Sequence, residues 1–296
     1  MKTVQISCNQ FRYGVLLSLI EWLEDGAVEM AIIPKFFFDA VVAIGVLSEK
    51  QETEWIGTGF LVGKREMNSR VGVFLVSNAH IFEEHESLVI RFNNEASHST
   101  VDYVVSLMSN GSPSFSRHDS ADVAAVRIAP AVLAHDNSSY NWFSLEDHAL
   151  TLDQMKNTDV MEGSIVYSLG FPMNMVESQR KSPICRIGCI SRISDLFQSG
   201  YNQENNKYLI DLQAVPGNSG APVINRPDSI HITGTTHSDS ANLIGIICGS
   251  LDYCRDDIKE TCPMSNFEIN SGIALVHPVD AIQDVVDLEI ERTRVI

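Results

Sequence analysis

The sequence predicts an all-β protein closed by one C-terminal helix, and three observations carry that prediction. Short runs rich in β-branched and aromatic residues recur from about residue 36 to residue 277. Clusters of Gly, Asn, Ser or Asp separate most of them, as turns between strands require. After the last of these runs the apolar period changes from two to about 3.6.

Taken in order, the chain first offers Tyr13 to Leu23, apolar but far short of the ~20 residues a membrane span requires. Glu21, Glu24 and Asp25 stand where a signal peptide would carry small cleavage-site residues. Gly14, Ser18, Glu21 and Asp25 share one polar stripe of a helix that Gly26 would stop. Residues 1–30 therefore read as a helical extension, with Met30 as an alternative start and cytoplasmic residence as the default expectation. Phe36 to Leu47 reads as the first strand, interrupted by Asp39 and Gly45. Further strands are expected at 71–77, 88–93, 101–107, 122–129, 164–169, 184–193, 207–214, 221–225, 243–249 and 271–277. Residues 136–160 lack alternation and divide a first β unit, 31–135, from a second, 161–296. Pro278 opens the final helix, which places Ile282, Val285 and Val286 on one side with Leu288 at its margin.

Composition sets outer limits. The 296 residues carry 44% apolar and 20% charged side chains, as ordinary soluble proteins do. A formal charge of −17 works against nucleic acid and anionic membranes as partners, and against acidic substrates. Cys8, Cys185, Cys189, Cys248, Cys254 and Cys262 make an even count, but no export signal accompanies them, so free thiols are expected. Cys185 with Cys189, or Cys254 with Cys262, resembles half a zinc site, yet the paired spacing of a full one is missing. His80 and His85 are five residues apart, which turns them about 140° from each other on a helix, so they are not a zincin pair. No metal or cofactor is expected. His118, His135, His148, His231 and His237 fall in polar connecting segments and read as solvent-facing, and Asp252 to Glu260 as a solvated acidic loop.

Chemistry concentrates in three places. Gly217-Asn218-Ser219-Gly220-Ala221-Pro222 holds one serine between glycines, flanked by strands, a turn that can aim successive N–H groups at one point. His80 ends the apolar run from Val73, and Asp122 opens the run to Ile128. The order His80, Asp122, Ser219 is that of the chymotrypsin type.

Here the sequence resembles the chymotrypsin/trypsin clan of serine peptidases, and most nearly the bacterial trypsin-like domains of Deg/HtrA-type proteases. Gly57 with Thr58 to Val62 is similar to the strand before the histidine. Val166 to Pro172 resembles the strand that opens the second barrel, and Leu243 to Gly249 and Gly272 to Pro278 the strands after the nucleophile. The resemblance implies two six-stranded antiparallel β-barrels and a serine endopeptidase working through an acyl-enzyme. It implies His80 as base, Asp122 as its orienting acid, Ser219 as nucleophile, and the N–H groups of Gly217 and Ser219 as oxyanion hole. Gln213 would floor the specificity pocket and Cys248, Gly249 and Ser250 would form a wall, leaving it uncharged. A protein or peptide substrate is implied, with a regulatory protein partner as a further expectation. Only about sixteen residues follow position 280, too few for a PDZ module. Two departures stand out: Ile81 replaces the half-cystine of secreted relatives, and Ala221 replaces a glycine. The alternative is a peptidase-fold interaction module, latent until a partner forms the oxyanion hole.

Overall fold

Val41, Val42, Ala43 and Ile44 are all fully buried, so the first strand is covered on both faces. Strand side chains alternate between faces, and here each face feeds a different core. Val42 and Ile44 join Leu61, Leu75, Ile90 and Phe92, whereas Val41 and Ala43 join Phe60, Val62, Phe74 and the C-terminal helix. A third core, with Val166, Ile210, Val223, Ile244 and Val276, fills the second half of the chain.

The computed structural model describes residues 33–67, 70–200, 206–227, 240–254 and 268–294. The expected helix over 1–30 lies outside them; Ile32–Ile296 forms one compact unit. The elements are α1 (Lys35–Ala40), β1 (Val41–Leu47), β2 (Thr53–Arg65), β3 (Val71–Ser77), α2 (Ala79–Glu83), β4 (Ser87–Asn94) and β5 (Ser99–Ser106). There follow β6 (Met108–Ser109), β7 (Ser112–Pro113), β8 (Ser116–Arg117), β9 (Ala124–Arg127), α3 (Pro130–His135), β10 (Ser138–Ser139), β11 (Phe143–Ser144) and α4 (Leu152–Asn157). The second half holds β12 (Ile165–Gly170), β13 (Ile184–Arg192), α5 (Ser194–Ser199), β14 (Tyr208–Asp211), β15 (Pro222–Asn225), β16 (Leu243–Cys254), β17 (Glu268–Pro278) and α6 (Val279–Arg294).

The second half is a closed barrel in the order β12-β13-β14-β17-β16-β15. The first half is a nine-stranded sheet running β10-β4-β1-β2-β3-β9-β8, with β5 on β4 and β11 on β2. Its pairing is an open path: β5 and β9 do not pair, and Tyr103, Val105, Val126 and Ile128 line a cavity of about 370 Å³ there. Residues 138–139 and 143–144, within the divider expected over 136–160, add to this first sheet.

Three expectations change. Residues 35–40 form helix α1, not strand, although three phenylalanines favour a strand. Phe37 packs on Phe143 at 4.5 Å, and the buried Lys181 Nζ donates to the carbonyls of Phe38, Asp39 and Val41 at 3.1, 3.1 and 2.7 Å. Those bonds satisfy carbonyls that a helix end leaves open. His118 is buried, and His148 is half-buried against Phe36 at 4.9 Å, so neither simply faces solvent. His135 is exposed as expected; His231 and His237 lie outside the described residues. On α6, Leu288 is exposed and Glu289 is buried, because Glu289 lies seven residues, two turns, after Ile282. Cys185, Cys189 and Cys248 are free thiols. Among the described residues, no helix is long and apolar enough to cross a membrane, and no three metal-ligating side chains converge.

Helix α6 packs on β8 and β9 of the first half and on β16 and β17 of the second. Its Glu289 carboxylate accepts from Arg127 N at 3.0 Å, Ser116 Oγ at 2.9 Å and Arg292 Nη2 at 2.7 Å. Removing one partner of such a buried pair strands the others without water. Glu289→Ala is expected to lower unfolding free energy by about 3 kcal/mol in urea titration, against under about 0.5 for Leu288→Ala on the exposed side.

Candidate active site

His80 lies in the first turn of α2, where the strand β3 ends and helix N–H groups lack intrahelical acceptors. Asp122 supplies one. Its Oδ1 accepts from His80 N at 3.0 Å, and its Oδ2 lies 2.8 Å from His80 Nδ1. The carboxylate thus holds both the main chain and the ring of one residue. Asn78 Nδ2 donates to the Asp122 carbonyl at 2.9 Å from the same side. The hydrogen bond to Asp122 raises the His80 pKa above its ordinary value, although partial burial opposes it. Burial pushes the Asp122 carboxyl up, but the bonds from the His80 ring and amide outweigh it, and its pKa ends below normal. Both shifts describe one ion-pair-like contact.

The loop that carries Asp122 is pinned by its own backbone. His118 N donates to Val123 O at 2.9 Å, and His118 Nδ1 accepts from Ser120 N and Ala121 N at 3.1 and 3.0 Å. Asp122 N donates at 3.0 Å to His277 Nε2, which arrives from β17.

Ser219 sits on a turn between β14 and β15. Asn218 N donates to Val215 O at 2.9 Å, Ala221 N to Asn218 O at 3.0 Å, and Gly220 N to Ile247 O at 3.0 Å. Among the described residues, the amides of Gly217 and Ser219 make no such bond. Pro216 O accepts from Met173 N at 2.6 Å. In a trans peptide the C=O and N–H point opposite ways, so Gly217 N–H is turned away from Met173. Gly217 has φ +90°, and a Cβ there would lie 2.2 Å from Phe171 O. Gly220 has φ +81°, with Thr58 O at 2.1 Å from the same imagined atom. Ala221 is not among the positive-φ residues, and its methyl is fully buried in the barrel core.

Thr58 ties this turn to the first half. Its N donates to Ser219 O at 3.0 Å, its Oγ1 donates to Gly217 O at 2.7 Å and accepts from Phe171 N at 3.0 Å, and its carbonyl accepts from Ser77 Oγ at 2.7 Å. Ser77 ends the strand that leads into His80. Ser219 Oγ makes no hydrogen bond to the His80 ring in this structure, so the contact brought together here is His80 with Asp122, and Ser219 is tied through Thr58 to the strand that precedes His80.

A family model, trypsin-like peptidase domain, matches residues 57–229, more than half of the chain. The chain belongs to the trypsin-like peptidase family. No curated protein matches it. The matched span of this trypsin-like peptidase domain takes in Gly57, His80, Asp122 and the Gly217–Ser219 turn, and ends before β16 and β17.

A cleft of about 380 Å³ opens beside Ser219, lined by Ala214, Val215, Pro216, Ile247, Gly249, Ser250 and Asn270. Of the residues expected to shape the pocket, Gly249 and Ser250 line this cleft. Gln213 and Cys248 do not line it: Gln213 is exposed, and Cys248 Sγ donates to Leu275 O at 3.4 Å, with burial pushing the thiol up to about 12. Sequence reasoning missed Asn270, which donates to the Ala214 carbonyl across this cleft and accepts from Gly272 N at 2.8 Å. It missed His277 and Asn78 too. An asparagine near a Gly-Ile strand gives no local signal of a pocket.

His277 is fully buried, and burial lowers its pKa to about 4, with Lys207 and His118 pushing the same way and the bond to the Asn206 carbonyl and the Asp122 charge opposing. The folded value lies below the unfolded ~6.5, so the native state prefers the neutral ring. The stabilisation is present above pH ~6.5 and is lost as pH falls toward 4, a change on the order of 3 kcal/mol at most. Wild-type stability minus that of His277→Gln is expected to shrink across this window in urea titrations at stepped pH.

Proposed function

We propose that the protein is a serine endopeptidase that cleaves protein or peptide substrates through Ser219, His80 and Asp122. The single observation that carries this is the pair of contacts from Asp122 to His80. With Nδ1 committed to the carboxylate, the ring's basic atom is Nε2, free to take a proton. Membership of the trypsin-like peptidase family supports the same roles. We further infer that the open N-terminal sheet corresponds to the first barrel of a chymotrypsin-like fold, with β1 to β5 and β9 as its six strands.

In this reading His80 Nε2 removes the Ser219 hydroxyl proton as Oγ attacks the substrate carbonyl. The carbonyl π electrons move to oxygen, and the amides of Gly217 and Ser219 receive that oxyanion. Each such donor is worth about 3 kcal/mol in the barrier. His80 then returns the proton to the leaving amine, the acyl-enzyme forms, and a water activated by the same ring hydrolyses it. Asp122 stays ionised throughout and stabilises the imidazolium. The Pro216 carbonyl, facing Met173, supports a formed oxyanion hole over the latent module. The uncharged cleft supports cleavage after apolar or uncharged polar side chains, with Asn270 as an added polar contact.

A fluorophosphonate probe is expected to label the wild-type protein and not Ser219→Ala. Labelling should switch on as His80 loses its proton, with a midpoint above pH 6.5 because its pKa is raised. In Asp122→Asn the midpoint should fall and the plateau drop by about 10⁴-fold. A folded wild-type protein that never labels would sink the proposal.

A further inference from the structure

The Asp122 main chain is held from both halves of the fold. On its own side, Asn78 and His80 bond its carbonyl and carboxylate. From the second half, His277 accepts its N–H at 3.0 Å, and Asn206 Nδ2 donates at 2.8 Å to the carbonyl of Ser120, two residues earlier. These two arms are themselves joined, because His277 Nδ1 lies 2.9 Å from Asn206 O. A carbonyl can only accept, so Nδ1 carries the ring proton; an amide N–H can only donate, so Nε2 offers its lone pair. One neutral tautomer satisfies both contacts and no other does. His277 is fully buried and Asn206 nearly so, which shields the ring and its bond to Asn206 from water. His277 also lies beyond the residues matched by the family model.

We propose that His277 is a positioning residue, which holds the main chain of Asp122 in register with His80 by accepting its N–H from the opposite half of the fold. The inference rests on the reading of Asp122 as the acid of a serine-peptidase triad. Without the acceptor, the Asp122 N–H loses the one partner it has among the described residues. The loop then relaxes toward another acceptor, and the carboxylate leaves the line of the His80 ring. The clamp spans the seam between the halves, so it also fixes the acid relative to the barrel that carries Ser219.

The test compares full-length wild type with His277→Phe, His277→Gln and Asn206→Ala by three readouts: fluorophosphonate labelling rate, titration of the His80 ring by NMR, and thermal midpoint. His277→Phe keeps an aromatic ring but no acceptor. It should slow labelling by about tenfold or more, while Gln, whose amide oxygen can take the acceptor position, should recover to within about threefold of wild type. The His80 pKa should fall toward its ordinary value in the Phe variant and stay raised in the Gln variant, a change that lost packing alone would not produce. Asn206→Ala should shift both readouts the same way by less. A folded His277→Phe that labels within about twofold of wild type, with an unchanged His80 titration, overturns the proposal. Should that variant not fold, Asn206→Ala decides, and unchanged labelling and titration there overturn it. Should the wild type itself fail to label, the peptidase reading falls, while the His80 titration still decides whether His277 positions Asp122.

Discussion

Thr58 is the point on which the arrangement turns. It is fully buried at the seam, and its amide, hydroxyl and carbonyl are all committed, to Ser219, to Gly217 with Phe171, and to Ser77. Buried polar groups must be paired, so the seam can close only in the register where all of these bonds form together. That register sets the serine turn against the strand that ends at His80. The glycines follow from it: at Gly220 any side chain would drive into Thr58 O and Ser77 Oγ, 2.1 and 2.2 Å away. Close backbone approach, rather than loop flexibility, explains why the serine is flanked by glycine.

Most of the strand framework was legible because its physics is local. Val71–Ser77 and Pro222–Asn225 alternate or run apolar between clear turn residues, and both stand close to where the pattern put them. Helix α1 was not legible. Its phenylalanines carry β propensity, and what overrides it is Lys181, more than a hundred residues away, capping its carbonyls. Leu288 and Glu289 show the same limit on α6: hydrophobicity favours the leucine as the buried residue, but phase along the helix buries the glutamate. That is tolerable only because Arg127, Ser116 and Arg292 answer it.

The site divides along similar lines. His80, Asp122 and the Gly217–Ser219 turn were visible because each borders a strand and the three share a familiar order. Pocket residues depend on how β14, β16 and β17 face one another across the barrel. A count back from the serine chose Gln213, whereas the strand pairing brings Asn270 across to the Ala214 carbonyl. His118 and His277 were invisible as buried acceptors because a histidine's role is set by what donates to it. Both serve the 118–123 loop through ring nitrogens that accept from its amides, in a fold whose net charge is −17. A carboxylate in either place would add a further negative charge beside Asp122.

The serine turn shows why a Gly-Asn-Ser-Gly segment read alone is only a turn. Its internal bonds, Asn218 N to Val215 O and Ala221 N to Asn218 O, bend the chain but leave the Pro216–Gly217 peptide free to face either way. The choice is made by Met173, whose amide takes the Pro216 carbonyl. Met173 and Asn174 both lie at positive φ, 54° and 55°, conformations that side chains other than glycine seldom adopt. Such backbone persists only where its surroundings over-determine it. Phe171 and Pro172, nearly fully buried just before it, and Thr58 Oγ1 on the Phe171 amide provide that support. The direction of the Gly217 N–H is therefore a property of the packed seam, inherited from a loop forty residues upstream.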